Sequence, residues 1–181
     1  IIGVVAKADK AADGSSIQLV DAGDPAEDLQ TRQLTYGTSF QVEVANLGNT
    51  ELDSVEVVNS LASTFPTLAV DSDQPLQVVQ GSIAVEKVSA DDPPPSGVKV
   101  KRGHSFTRRG KVEPLDAANP NFDGLNDLEL VDASKVELGL GESIRIRYAL
   151  EIKIDYADQG ALDELQRQNF ETQIIANGTD P

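Results

Sequence analysis

Asn119, Asn121, Asp123, Asn126 and Asp127 gather around Gly124. Side chains of these types carry hard oxygen donors. Ca²⁺ takes about six to eight such oxygens, often from loops of Asp, Asn and backbone carbonyls. Asn121, Asp123, Asn126 and Asp127 are therefore candidate calcium ligands. The spacing is not that of an EF-hand, which needs a Glu at the loop's twelfth position. The other reading is an Asx-rich turn whose side chains bond their own backbone.

A second constellation is electrostatic. Lys99, Lys101, Arg102, Arg108, Arg109 and Lys111 fall in a stretch, 93–112, that holds no acid. They are six of the 15 basic residues in a chain of net charge −15. Such segregation suits a basic insert that docks on an acidic partner, because opposite patches steer and orient contact. The partner would be a neighbouring repeat, another copy or surface protein, or an anionic polysaccharide. The other reading is a solvated hairpin. Nucleic acid is not expected, since the rest of the surface repels phosphates.

Catalytic constellations are weak. His104 is the one histidine, and no Asp or Ser pattern orients it for nucleophilic catalysis. Thirty acids offer many carboxylate pairs for glycoside hydrolysis, but abundance selects none. No glycine-rich loop opens a helix, so a phosphate cradle is lacking. With no Cys, the chain has no disulfide, zinc–thiolate site or cysteine nucleophile. The expectation is a protein that is not an enzyme.

The elements that would carry these residues are strands. From Ser143 to Asp155, Ile144, Ile146, Tyr148, Leu150, Ile152 and Ile154 alternate with Arg145, Arg147, Ala149, Glu151, Lys153 and Asp155. Alternate side chains of a strand face opposite ways, so this segment has one dry and one wet face. Phe40, Val42 and Val44 repeat the pattern in 38–46, and Val55 and Val57 continue it in 52–59. Leu47-Gly48-Asn49-Thr50 between them supplies turn residues, so the pair reads as an antiparallel hairpin. Further strand candidates are 2–8, 17–20, 77–80, 83–88, 98–101, 128–131, 136–138 and 170–176. One short helix is expected over 161–168, with Asp158 as its cap. Many short strands between Gly, Pro, Asn and Asp clusters predict an all-β, antiparallel sandwich in one domain.

At 181 residues with 39 % hydrophobic content, the chain can bury a sizeable core. No apolar run is long enough to span a bilayer, so no membrane insertion is expected. There is no Met, and the chain opens on Ile1 without a leader pattern. The numbering is therefore expected to start inside a longer or processed precursor. Asn177-Gly178-Thr179 matches a glycosylation sequon, but Asn-Gly is also an ordinary turn.

Several stretches then line up in order. Gly3-Val4-Val5-Ala6-Lys7 opens the chain, and Val44-Ala45-Asn46-Leu47-Gly48-Asn49-Thr50-Glu51-Leu52 follows with Val55-Glu56-Val57. Leu61-Ala62-Ser63-Thr64-Phe65-Pro66 comes next, then the stretch from Asn119 to Asp127 and Leu140-Gly141-Glu142-Ser143. Phe170 and Ala176 to Pro181 close the chain. This order resembles the domain-of-unknown-function repeat found in tandem in large bacterial cell-surface proteins. The resemblance implies an immunoglobulin-like β-sandwich, an extracellular location and service as a stalk, filament or adhesin segment. The chain departs from that pattern in three places. Residues 9–33 are long, 71–118 form a long insert, and Glu171 or Thr172 replaces the usual Asn of the final strand.

Some immunoglobulin-like surface domains join a first-strand Lys to a last-strand Asn by an isopeptide bond beside a buried acid. Lys7, Glu43 and Asn177 are the candidates for that trio. The other reading of Lys7 keeps its charge in water and packs its stem on the sheet. The expected function is structural or adhesive, with a binding module for anionic polysaccharide through residues 99–111 as the alternative.

Overall fold

The computed structural model describes residues 1–8, 17–66, 68, 76–89, 110–166 and 174–179. The longest strands, β3 (Gln33–Asn46) and β8 (Ser143–Asp155), lie side by side at the centre. Their antiparallel register runs unbroken from Gln33↔Asp155 to Ala45↔Ser143. Matching alternation explains this register. It stacks Phe40 opposite Tyr148, Val42 opposite Ile146 and Val44 opposite Ile144, all on the buried face. A slip of one residue would turn every one of them to solvent.

Among the described residues the large sheet has seven strands. β1 (Ile2–Ala8) and β2 (Gln18–Asp21) pair with successive parts of β3. Beyond β8 come β5 (Leu76–Val78) and β6 (Ala84–Val88), and β7 (Val112–Pro114) pairs with β6. The described part of the expected insert, 71–118, is thus woven into the sheet. β7 was not anticipated from the sequence.

The second layer is built on β4 (Asp53–Asn59), which pairs with β9 (Ile174–Thr179). On its other side β4 bonds to 128–138. Leu52 N–H donates to Leu138 O at 3.0 Å, and Leu130 N–H donates to Val57 O at 2.8 Å. Residues 128–131 and 136–138, expected as strands, form only isolated bridges such as Leu52↔Leu138. A 3₁₀ turn, Ala133–Lys135, interrupts them, with the Asp132 side chain accepting from Ser134 N–H at 3.2 Å.

The expected β3–β4 hairpin does not form. β3 belongs to the large sheet and β4 to the small one. Each strand has one apolar face, and these faces meet across the layer gap. The 47–50 turn is therefore a corner between layers, held by the buried Asn46. Its amide donates to Thr50 O at 2.8 Å and Leu138 O at 3.0 Å, while its oxygen accepts from Gly48 N–H at 2.9 Å.

The core between the layers includes Val42, Ile146 and Tyr148 from one side and Val55, Val57 and Leu130 from the other. Helix α2 (Gln159–Gln166) closes one end, with Ala161 and Leu165 buried and Asp158 Oδ1 accepting from Ala161 N–H at 3.0 Å. A one-turn helix α1 (Leu61–Thr64) was not expected; Ser60 caps it. The architecture is an all-β sandwich.

Candidate functional site

The 119–127 loop shapes itself. Asp123 Oδ1 accepts three backbone N–H groups, from Leu125 (2.8 Å), Asn126 (2.7 Å) and Asp127 (2.9 Å). Its Oδ2 accepts from the Asn126 amide at 3.1 Å. The Asn119 amide donates to Asp127 Oδ1 at 3.1 Å and Glu129 O at 2.8 Å, and Asn119 Oδ1 accepts from Asn121 N–H at 3.0 Å. Burial pushes the Asp123 carboxyl up. The bonds from Leu125, Asn126 and Asp127 outweigh that and hold it below the ordinary carboxylate range.

Two of the four candidate calcium ligands, Asp123 and Asp127, thus direct carboxylate oxygens at their own loop. Among the described residues, no three His, Cys, Asp or Glu side chains converge as a metal cluster. The loop also has a structural job. Gly124 O accepts from Leu61 N–H at 2.8 Å, tying the loop to the start of α1. Gly124 sits at φ +72°, and a Cβ there would lie 2.3 Å from Leu61 Cγ.

Of the basic cluster, Lys99, Lys101, Arg102, Arg108 and Arg109 lie outside the described residues. Lys111 lies inside them and is ion-paired with Glu113, its neighbour two residues on. His104 and the 98–101 strand candidate also fall outside.

The three isopeptide candidates occupy different places. Lys7 sits in register with Gln41 on β1. Glu43 projects from the outer face of the large sheet, where Arg145 Nη2 lies 3.9 Å from its carboxylate. Asn177 belongs to the small sheet; it is exposed and donates to Glu56 Oε2 at 3.1 Å. Glu43 and Asn177 are not brought together. A buried trio, which the cross-link chemistry requires, is not formed by these two residues.

The outer face of the large sheet carries a charge ladder. Arg145 reaches Glu43 and Glu86, and Arg147 reaches Glu86 at 3.5 Å. At one end of that face, a dimple beside Glu43, Leu47 and Ser143 has a volume of ≈ 10 Å³, the room of one water molecule. That is too small for a substrate.

The feature that sequence reasoning missed is the β1/β9 margin. Among the described residues, β1 is an edge of the large sheet and β9 an edge of the small one. The two edges lie against each other: a Cβ on Gly178 would be 3.3 Å from Ile2 Cδ1. Val4 and Val5 are 37 % and 46 % exposed, and Ile175 is 48 % exposed. The margin continues into β2, where Leu19 and Val20 are exposed. A signal was present in the sequence. Ile2, Val4 and Ala6 share one face of β1 while Val5 lies on the other, so the strand is apolar on both.

No family model, curated protein or solved structure matches the chain. Among the described residues no helix is long and apolar enough to cross a membrane.

Proposed function

We propose that this chain is a structural or adhesive unit of an exported bacterial surface protein or filament, immunoglobulin-like in its sandwich, that works by associating with neighbouring units or copies. The observation that carries this reading is the β1/β9 margin, where two edge strands end the two layers with apolar side chains exposed. Open edges invite pairing with another chain. The described polar clusters also favour it, since the Asp123 loop and the Arg145 ladder are engaged internally.

The test is surface labelling of intact producing cells with a membrane-impermeant amine reagent. The expected result is labelling of this chain before lysis. Labelling only after lysis would overturn the reading.

The run of basic residues at 99–111 supports a second reading, a binding module for anionic polysaccharide. Retention on immobilised heparin that disappears in Arg108→Glu/Arg109→Glu would favour it. Unchanged elution of that variant would exclude it.

A further inference from the structure

We propose that β1 is a pairing edge for the β1 strand of a second copy, joined antiparallel about a two-fold axis. This deepens the structural reading by naming the surface and the partner.

The backbone sets the geometry. Leu47 N–H donates to Ile1 O at 2.8 Å, which makes Ile1 and Leu47 a hydrogen-bonded pair. Such pairs alternate along an antiparallel ladder. In the register Gly3↔Ala45, Val5↔Glu43 and Lys7↔Gln41, residues 3, 5 and 7 therefore bond to β3. Ile2, Val4 and Ala6 turn their N–H and C=O groups the other way. No further strand among the described residues receives them.

The two edges of the large sheet differ. β7, at the far side, is three residues long, and its Pro114 cannot donate to a ladder. Glu113 and the neighbouring Lys111 add charge there. These are the devices by which proteins blunt an edge. β1 is seven residues long with no proline and one charge, Lys7.

Charge selects the occupant. The chain carries a net charge of −15, so copies repel one another on average. Residues 1–8 contain no Asp or Glu. Of the antiparallel registers that use the outward groups, two centre the pairing on Val4 or Val5. One sets Val4 opposite Val4 and Ile1 opposite Lys7. The other sets Val4 opposite Ala6 and Gly3 opposite Lys7. Neither opposes like-charged side chains, which would destabilise a cross-strand pair. The same patch serves both copies, as a two-fold interface requires. Leu47, exposed and lying over Gly3, adds apolar surface beside the strand.

The experiment is sedimentation velocity of the full chain over a concentration series, with variants. The wild type is expected to show a monomer–dimer equilibrium. Val4→Pro removes an outward N–H without removing a β1–β3 bond, so the dissociation constant should rise about tenfold or more. Val4→Lys sets the introduced charge opposite, or diagonal to, the same position of the second copy and should weaken the dimer similarly, which covers misfolding of the proline variant. Val112→Lys, on the blunted edge, should leave the equilibrium unchanged. A wild type that stays monomeric overturns the proposal, as does undiminished dimerisation of both Val4 variants. The outcomes separate from those of surface labelling. A surface-labelled chain that stays monomeric removes this pairing alone. A chain labelled only after lysis that still pairs through Val4 removes the surface role alone.

Discussion

Asp123 shows how a single side chain sets the shape of a loop. Its carboxylate satisfies three amides that would otherwise lack partners. Asp123→Ala should therefore destabilise the chain by about 1–3 kcal/mol in urea unfolding. Because the folded carboxyl titrates below its unfolded value, its contribution is present above about pH 4. It is lost as pH falls through the folded value, and Asp123→Ala should flatten the acid limb of stability against pH. Addition of millimolar Ca²⁺ is expected to leave the melting temperature unchanged, since the loop's carboxylates already have partners. A rise that vanishes in Asp123→Ala would assign the loop a metal.

Tyr148 poses the opposite case. It lies in the core, stacked on Phe40 at a centroid distance of 5.3 Å and accepting a hydrogen bond from Asn59. Burial pushes its phenol well above the ordinary value, and the Asn59 bond pulls part of the way back. Its stabilising contribution is full below the unfolded value of about pH 10 and is lost as pH rises through the folded one. Tyr148→Phe should cost about 1 kcal/mol at neutral pH by removing the acceptor from Asn59. It should also make the alkaline loss of stability, followed by circular dichroism, shallower than in the wild type.

At the scale of elements, the 119–127 loop and the turn before β6 give a controlled comparison. Gly81 and Gly124 both have positive φ, at +73° and +72°. Nothing lies within 4 Å of a Cβ on Gly81, whereas Leu61 occupies the space at Gly124. Gly81→Ala should cost about 1 kcal/mol from backbone strain alone. Gly124→Ala should cost distinctly more, because α1 must also move. Calorimetric melting of the pair checks the order.

β8 was legible in the sequence to the residue because its alternation is unbroken from Ser143 to Asp155. The beginning of β3 was not, because Thr38, a polar residue at a buried position, breaks the apolar face between Leu34 and Phe40. Alternation reports which way a side chain faces, not which strand lies alongside. That is why β3 and β4 read as a hairpin although they occupy different layers. The short β7 carries no rhythm at all, and its place depends on β6. The Asp123 turn was legible as one of two readings, since Asx residues bond metals and backbones with the same oxygens. The edge at β1 was legible only as an apolar strand, because being an edge is a property of the assembled sheet.

For the whole molecule, charge and backbone make opposing demands on association. Fifteen excess negative charges keep copies apart, while the outward groups of Ile2, Val4 and Ala6, which no strand among the described residues receives, favour contact. Salt screens the first and scarcely touches the second, the Debye length falling from about 30 Å at 0.01 M to about 3 Å at 1 M. Pairing through β1 therefore strengthens as salt rises. Docking of the basic stretch 99–111 on an acidic neighbour weakens over the same range. The most direct test is the dimerisation constant measured by sedimentation across that span of ionic strength. Tighter association at high salt is the predicted result; association that dissolves as salt is added would contradict it.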